Sequence, residues 1–189
     1  MNHVQVSSFE DKYRRDGDPW RFASRDYEQR RYDLTAAALP LRRYERAFEP
    51  ACAIGELTIR LAARCRSVLA MDAAPSALRS ARRRCADAPG VEIRLGELPA
   101  DWPAGVFDLV VLSELGYYFD RQELAVLRDR AVAGLEPGGT LLAVHWRGHS
   151  RDHLLHGDEV HEVLSLADGV DPFGAYVERD FRLDVWQRV

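Results

Sequence analysis

Two carboxylates in this chain each close a short apolar run: Glu49 after Ala47-Phe48, and Asp72 after Val68-Leu69-Ala70-Met71. Between them lies a turn of small residues, Pro50-Ala51-Cys52-Ala53-Ile54-Gly55, and then a helical pattern carried by Leu57, Leu61 and Ala62. Small residues let the backbone approach a ligand closely. A carboxylate at a strand end can accept two ribose hydroxyls at once. Strand, small-residue turn, helix, strand and terminal carboxylate is the layout of a nucleoside-binding βαβ unit. A second group of chemistry-bearing residues follows another apolar run: Ser113 and Glu114 come directly after Phe107-Asp108-Leu109-Val110-Val111-Leu112, with Tyr117 and Tyr118 just beyond. Ligands gather at the carboxyl edge of parallel sheets, so Glu114 is a candidate base or amine contact. Tyr117 and Tyr118 are candidates for the wall of an acceptor pocket. His145, at the end of a later strand, is a candidate base or acceptor ligand.

The elements that must position these groups alternate. Arg46–Glu49 reads as strand 1, and Val68–Met71 as strand 2. A helix begins at Pro75, with Ala77, Leu78, Ala81 and Cys85 on one side. Val91, Ile93 and Leu95 alternate with polar residues as strand 3. The run 107–112 fits a central strand buried on both faces. Asp120 with Glu123 has the pattern of a capping box, opening a helix through Leu124, Leu127, Ala131 and Leu135 that stops at Pro137-Gly138-Gly139. Thr140–His145 is strand 5, a helix covers Val160–Leu166, and Tyr176–Val189 supplies the final strands. Alternation of this kind predicts a doubly wound α/β sandwich with a mostly parallel sheet. Right-handed crossovers then bring the turn after strand 1 and the carboxylate after strand 2 to one edge.

Residues 1–44 differ from the rest. Aromatic and charged residues crowd Phe9–Tyr13, Asp18–Phe22 and Tyr27–Tyr32, and Ser24 reads as the cap of a helix running to Leu39 before Pro40. This segment is expected to be a helical cap on a nucleoside-binding domain over 45–189. Its aromatics Tyr13, Trp20, Tyr27 and Tyr32 would cover the cofactor or the acceptor, with Trp20 and Tyr27 as acceptor contacts.

The composition sets outer bounds. The 189 residues are 47% hydrophobic and 30% charged, which suits a soluble domain with a sizeable core. A net charge of −4 argues against broad nucleic-acid binding, and Arg82-Arg83-Arg84 reads as a solvated helix face. Cys52, Cys65 and Cys85 are odd in number and lack metal-like spacing, so reduced thiols in the cytoplasm are expected. His149, His153, His156 and His161 match no standard zinc spacing, and no metal is expected. No signal core or membrane-length apolar stretch is evident.

In combination, these residues resemble the class I S-adenosylmethionine-dependent methyltransferases. The resemblance covers about residues 45–146 and rests on Glu49–Gly55, Asp72, Gly96-Glu97-Leu98, Phe107–Glu114 and Leu135-Glu136-Pro137-Gly138-Gly139-Thr140-Leu141. It implies a Rossmann-like sheet with an antiparallel C-terminal strand, S-adenosylmethionine as cofactor and S-adenosylhomocysteine as product. It also implies roles. Glu49 orients the loop and the amino acid end of the cofactor, and Ala51, Cys52, Ala53 and Gly55 form the cofactor loop. Asp72, with Ala73 beside it, holds the ribose; Glu97 and Leu98 neighbour the adenine; Ser113 is a further cofactor contact. Asp18-Pro19-Trp20, Tyr27-Glu28, Leu39-Pro40, Ser113–Tyr118 and His145-Trp146 are similar to the nodulation protein S branch. That branch implies a small polar acceptor, such as the amine of a de-N-acetylated glucosamine.

Ala51 and Ala53 stand where the family has glycines. Because alanine disfavours positive φ, the loop is expected to run with negative φ at both positions or to sit farther from the ligand. Glu97 is one methylene longer than the usual aspartate. Two other readings compete: a nicotinamide-dependent oxidoreductase, whose Gly-x-Gly-x-x-Gly spacing is absent here, and a non-catalytic binding protein that kept the fold.

Overall fold

The computed structural model describes residues 3–189. Among these, the order is α1 (His3–Arg15), α2 (Asp26–Ala37), β1 (Tyr44–Pro50), α3 (Glu56–Ala62), β2 (Cys65–Asp72), α4 (Pro75–Arg84), β3 (Val91–Leu95) and β4 (Phe107–Ser113). A 3₁₀ turn (Gly116–Tyr118) follows, then α5 (Arg121–Ala133), β5 (Leu135–Trp146), α6 (Gly157–Ser165), β6 (Val170–Val177) and β7 (Phe181–Arg188). The sheet order is β3-β2-β1-β4-β5-β7-β6. Pairings among β1 to β5 are parallel, and β7 runs antiparallel between β5 and β6. The sequence expectation of a mostly parallel doubly wound sheet with an antiparallel C-terminal strand holds.

Burial explains the layering. Along β4, Leu109 and Val111 face one apolar cluster with Ala47, Val68, Ala70, Leu57 and Leu61. Val110 and Leu112 face the other, with Phe48, Leu124, Leu127 and Leu141. A strand apolar at every such position can only sit between two helical layers. The Asp120–Glu123 capping box forms as read. Pro137-Gly138-Gly139 does not end a helix, however. It lies inside β5 as an irregularity, because β4 pairs through Phe107↔Leu135 and resumes at Leu109↔Thr140. The helical reading of Leu135 yields to Gly134, which caps α5.

The cap also differs in detail. Arg25, in extended conformation and without a side-chain cap bond, precedes α2, so Ser24 caps nothing. The α2 residue Tyr32, together with Leu39, is buried in the same cluster as β1 and β2. Tyr13, Ile54, Ala74 and Ala77 form a third cluster with Trp20, Phe22 and Ala53 packed on it. It clamps α1 over the carboxyl edge of the sheet.

Candidate active site

Parallel pairing aligns the strand ends. Pro50 lies opposite Met71, Asp72 opposite Leu95, and Ser113 opposite Val144, so the loops after β1, β2, β4 and β5 converge at one edge. The β1/β4 junction is where strand order reverses, the usual ligand crevice of such sheets. A cavity of about 530 Å³ opens there. Ala51, Ala53, Asp72, Ala73, Leu98, Trp20, Tyr27, Glu114, Tyr117 and Tyr118 all line it.

The loop after β1 is wound tightly. Ala51 and Ala53 have φ of 57° and 50°, and Gly55 has φ of 82°. The expectation of negative φ at the two alanines is therefore wrong: both hold the left-handed conformation at a cost of about 1–2 kcal/mol each. Backbone bonds enforce it. The N–H of Cys52 donates to the Met71 carbonyl (2.9 Å), and the N–H of Gly55 donates to the Cys52 carbonyl (2.9 Å). The N–H of Ala53 donates to Asp72 (2.9 Å). Gly55 has no room for a side chain; a Cβ would stand 3.1 Å from the Ala81 backbone.

Asp72 binds the Ala53 N–H through one carboxylate oxygen and the Ala74 N–H (2.9 Å) through the other. Burial raises its pKa, and these N–H donors oppose the rise. Each oxygen keeps a lone pair for a ligand hydroxyl, which fits a ribose diol. Glu49, at the end of β1, is buried and receives the Thr58 hydroxyl (2.6 Å). Burial pushes its carboxyl up to about 8. Glu49, Cys52 and Gly55 brace the loop from behind and do not line the cavity. Glu97 stays outside it too: its N–H binds Asp101 (2.8 Å), while the flanking Gly96 and Leu98 face in.

The other wall is acidic and aromatic. Glu114 is held at φ 53°, an uncommon conformation for a long side chain. It accepts the Tyr117 hydroxyl (2.8 Å) on one oxygen and the Trp146 N–H (2.6 Å) on the other. Burial raises its pKa; the Arg31 guanidinium, 3.7 Å away, and the Tyr117 hydroxyl oppose that rise only in part. Arg31 is itself 1% exposed and binds Glu28 (2.6 Å) and the Ser113 hydroxyl (3.0 Å). Ser113 is thus occupied as a bracket for Arg31 and does not line the cavity. Sequence reasoning gave no site role to Arg31 or Glu28; an i,i+3 ion pair on a helix carries no sign of whether it will be buried. It also missed Phe9, Phe22, Trp146 and His153 as cavity residues. His153 stacks on Tyr117 with ring centroids 3.8 Å apart, and burial lowers its pKa to about 4. Tyr32, expected in the covering wall, instead packs beneath the Arg31 and Arg60 guanidiniums.

His145 does not reach the cavity. It is fully buried, and both ring nitrogens are engaged. Nε2 meets the Gly116 N–H (3.0 Å), and Nδ1 lies 3.2 Å from His161 Nε2. A base must reach the reacting atom, and the structure places His145 behind the cavity wall with both nitrogens partnered, away from the acceptor position expected for it. Among the described residues, no group of three or more metal-ligating side chains is arranged to hold an ion. No helix among them is long and apolar enough to cross a membrane.

Comparison with known proteins places these features. The sequence model described as nodulation protein S matches residues 6–168. Nodulation protein S of Rhizobium tropici is 28% identical over 127 residues, which cover 66% of this chain and 53% of that protein. The chain thus spans about half the length of that curated relative. A solved structure described as a putative methyltransferase from Pseudomonas syringae is 44% identical, with a TM-score of 0.77 over 87% of this chain and all of that one. The N-methyltransferase NodS of Bradyrhizobium japonicum WM9, solved with S-adenosylhomocysteine, shares the fold at 22% identity. Its TM-score is 0.85, over 97% of this chain and 98% of that one.

Proposed function

The chain belongs to the nodulation protein S family, and from that premise we propose that it is an S-adenosylmethionine-dependent N-methyltransferase acting on a small polar amine, an amino sugar being the leading candidate. One observation carries this reading. A single cavity is lined both by a diol-binding carboxylate, Asp72, and by an acidic, aromatic wall built on Glu114, from strands on either side of β1. The relatives' names and the loop after β1 support the cofactor; the wall supports an amine.

S-adenosylmethionine, when bound, supplies a methyl group on a positively charged sulfur. Asp72 and the backbone of Ala51–Ala53 would hold its nucleoside end, and Glu49 would keep the loop in shape from below. The protein's work is then alignment. Glu28, Glu114, Asp152 and Asp180 all line the cavity, against Arg25 as its one lining cation among the described residues, so the chamber attracts a cationic acceptor. Tyr117, Tyr118 and Trp20 line the same cavity, and aromatic rings there suit a cation electrostatically. An amine must shed a proton before it attacks. Glu114, with Arg31 opposing the rise that burial imposes on its pKa, would take that proton.

Calorimetry with S-adenosylmethionine, S-adenosylhomocysteine and NAD tests the cofactor. Low-micromolar affinity for the first two is expected, and its absence overturns the reading. Asp72→Ala should weaken that affinity by about 1–3 kcal/mol through lost hydroxyl bonds. Turnover should follow with glucosamine or de-N-acetylated chitin oligosaccharides and not with phenols or carboxylates. Cofactor binding without turnover of any acceptor would instead mark a non-catalytic binding protein.

A further inference from the structure

Freed from the role of base, His145 stands in a buried row that the proposed chemistry does not use. The Gly116 N–H points at His145 Nε2 (3.0 Å), and His145 Nδ1 lies 3.2 Å from His161 Nε2. His161 Nδ1 lies 2.7 Å from Asp184, which also receives the Arg182 Nε–H (2.8 Å). His145 and His161 are 0% exposed and Asp184 is 5% exposed. The row joins α6, β5 and β7 to the 3₁₀ turn that carries Tyr117.

Only one arrangement of protons satisfies every contact. Asp184, a carboxylate beside Arg182, can only accept, so His161 Nδ1 carries the hydrogen. His161 Nε2 is then an acceptor, which requires a hydrogen on His145 Nδ1. That leaves His145 Nε2 with a lone pair, aimed at the one partner present, a backbone N–H that can only donate. Burial opposes charge on both imidazoles and lowers both pKa values, so the neutral arrangement persists. The opposite tautomer of His145 would set two hydrogens against each other at Gly116. The turn has no space to move aside: a Cβ on Gly116 would stand 2.3 Å from Val160 and 3.1 Å from His145 Nε2.

We propose that Asp184 and His161 fix the tautomer of His145, and that His145 in turn fixes, through Gly116, the turn that aims Tyr117 and Glu114 at the acceptor. These three are positioning residues; none of them lines the cavity. Gly116 lies between the two members of the Tyr117–Glu114 hydrogen bond, and the Tyr117 ring packs edge-on to His145 at 5.5 Å. A rotation of Gly116 is therefore felt directly at the carboxylate that faces the amine.

The kinetic consequence rests on the methyltransferase reading, whereas the proton arrangement does not, and two measurements separate them. In ¹⁵N-labelled protein, NMR should show His145 protonated at Nδ1, with a scalar coupling across the hydrogen bond from the Gly116 amide nitrogen to His145 Nε2. A proton on His145 Nε2, or absence of that coupling, overturns the proposal whether or not the protein methylates anything. In the second measurement, His161→Phe keeps a ring of similar size but cannot accept from His145, whereas His161→Gln can. His161→Phe should lower kcat/KM for the amine acceptor about 10- to 100-fold, with affinity for S-adenosylhomocysteine unchanged within twofold. His161→Gln should restore most of the rate. Equal rates in both variants, or a parallel loss of cofactor affinity in His161→Phe, would reduce the row to ordinary core and overturn the positioning role. Failure of the wild type to methylate any amine, with the coupling present, would sink the methyltransferase reading alone.

Discussion

Single residues at this site are held in conformations and charge states they would not choose alone. Ala51 and Ala53 are the simplest case, since each sits in the left-handed region that glycine occupies freely. Ala51→Gly or Ala53→Gly should each stabilise the fold by about 0.5–1 kcal/mol, the relief of strain less the added freedom of the unfolded chain. Thermal melts would register this as a raised midpoint, and a lowered one would mean the methyl groups pack better than the strain costs. Arg31 is the opposite case, a buried cation whose removal leaves Glu28 and Glu114 facing each other. Arg31→Ala should therefore cost about 3–5 kcal/mol in urea unfolding. The strand-end carboxylates Asp72 and Glu114 were legible from sequence because an acidic residue closing an apolar run has few other uses. The sign of φ at Ala51 was not legible. Residue propensity argued one way, and two backbone hydrogen bonds plus the Ala53 N–H bond to the Asp72 carboxylate argued the other.

At the scale of elements, the cap is bolted down at both ends of the cavity. Glu10 on α1 accepts the Ser76 N–H (2.9 Å) and its hydroxyl (2.6 Å), so it serves as a borrowed cap for α4. Lys12 pairs with Asp152 (2.6 Å) in the segment after β5. Glu10→Ala should loosen α1 while leaving the sheet intact. Hydrogen exchange should then speed up across 6–15, and S-adenosylhomocysteine should restore less of the protection than it does in the unaltered protein. Unchanged exchange in α1 would show that the aromatic cluster of Tyr13, Trp20 and Phe22 suffices to dock it. The sheet elements were legible because each has its own period and turn residues. Three other features depended on tertiary contacts that leave no local pattern. The Pro137-Gly138-Gly139 irregularity sits inside β5, α2 begins at Asp26 without a side-chain cap, and Phe22 and Trp146 face the cavity.

At the scale of the whole molecule, stability should carry the mark of Glu49. Its folded-state carboxyl titrates near 8 against an ordinary value of 4.5, so the folded protein keeps a proton that the unfolded chain has released. Between those values the folded state binds more protons, and stability must fall as pH rises, by up to about 1.4 kcal/mol per pH unit. Glu49→Gln should flatten that slope and make the protein more resistant to urea at pH 8 than the original. An identical pH profile would show that the carboxyl is ionised in its pocket. Lys12 meets Asp152, Arg30 meets Glu178 and Tyr27 meets the Asp180 carbonyl, across 140, 148 and 153 residues of chain. The loop after β1, by contrast, is closed by Asp72 only 19 residues from Ala53. A chain emerging from the ribosome therefore completes the turn between β1 and Asp72 long before Asp180, on the opposite wall of the cavity, exists. The edge that carries Ala53 and Asp72 is thus in place while the chamber beside it still stands open.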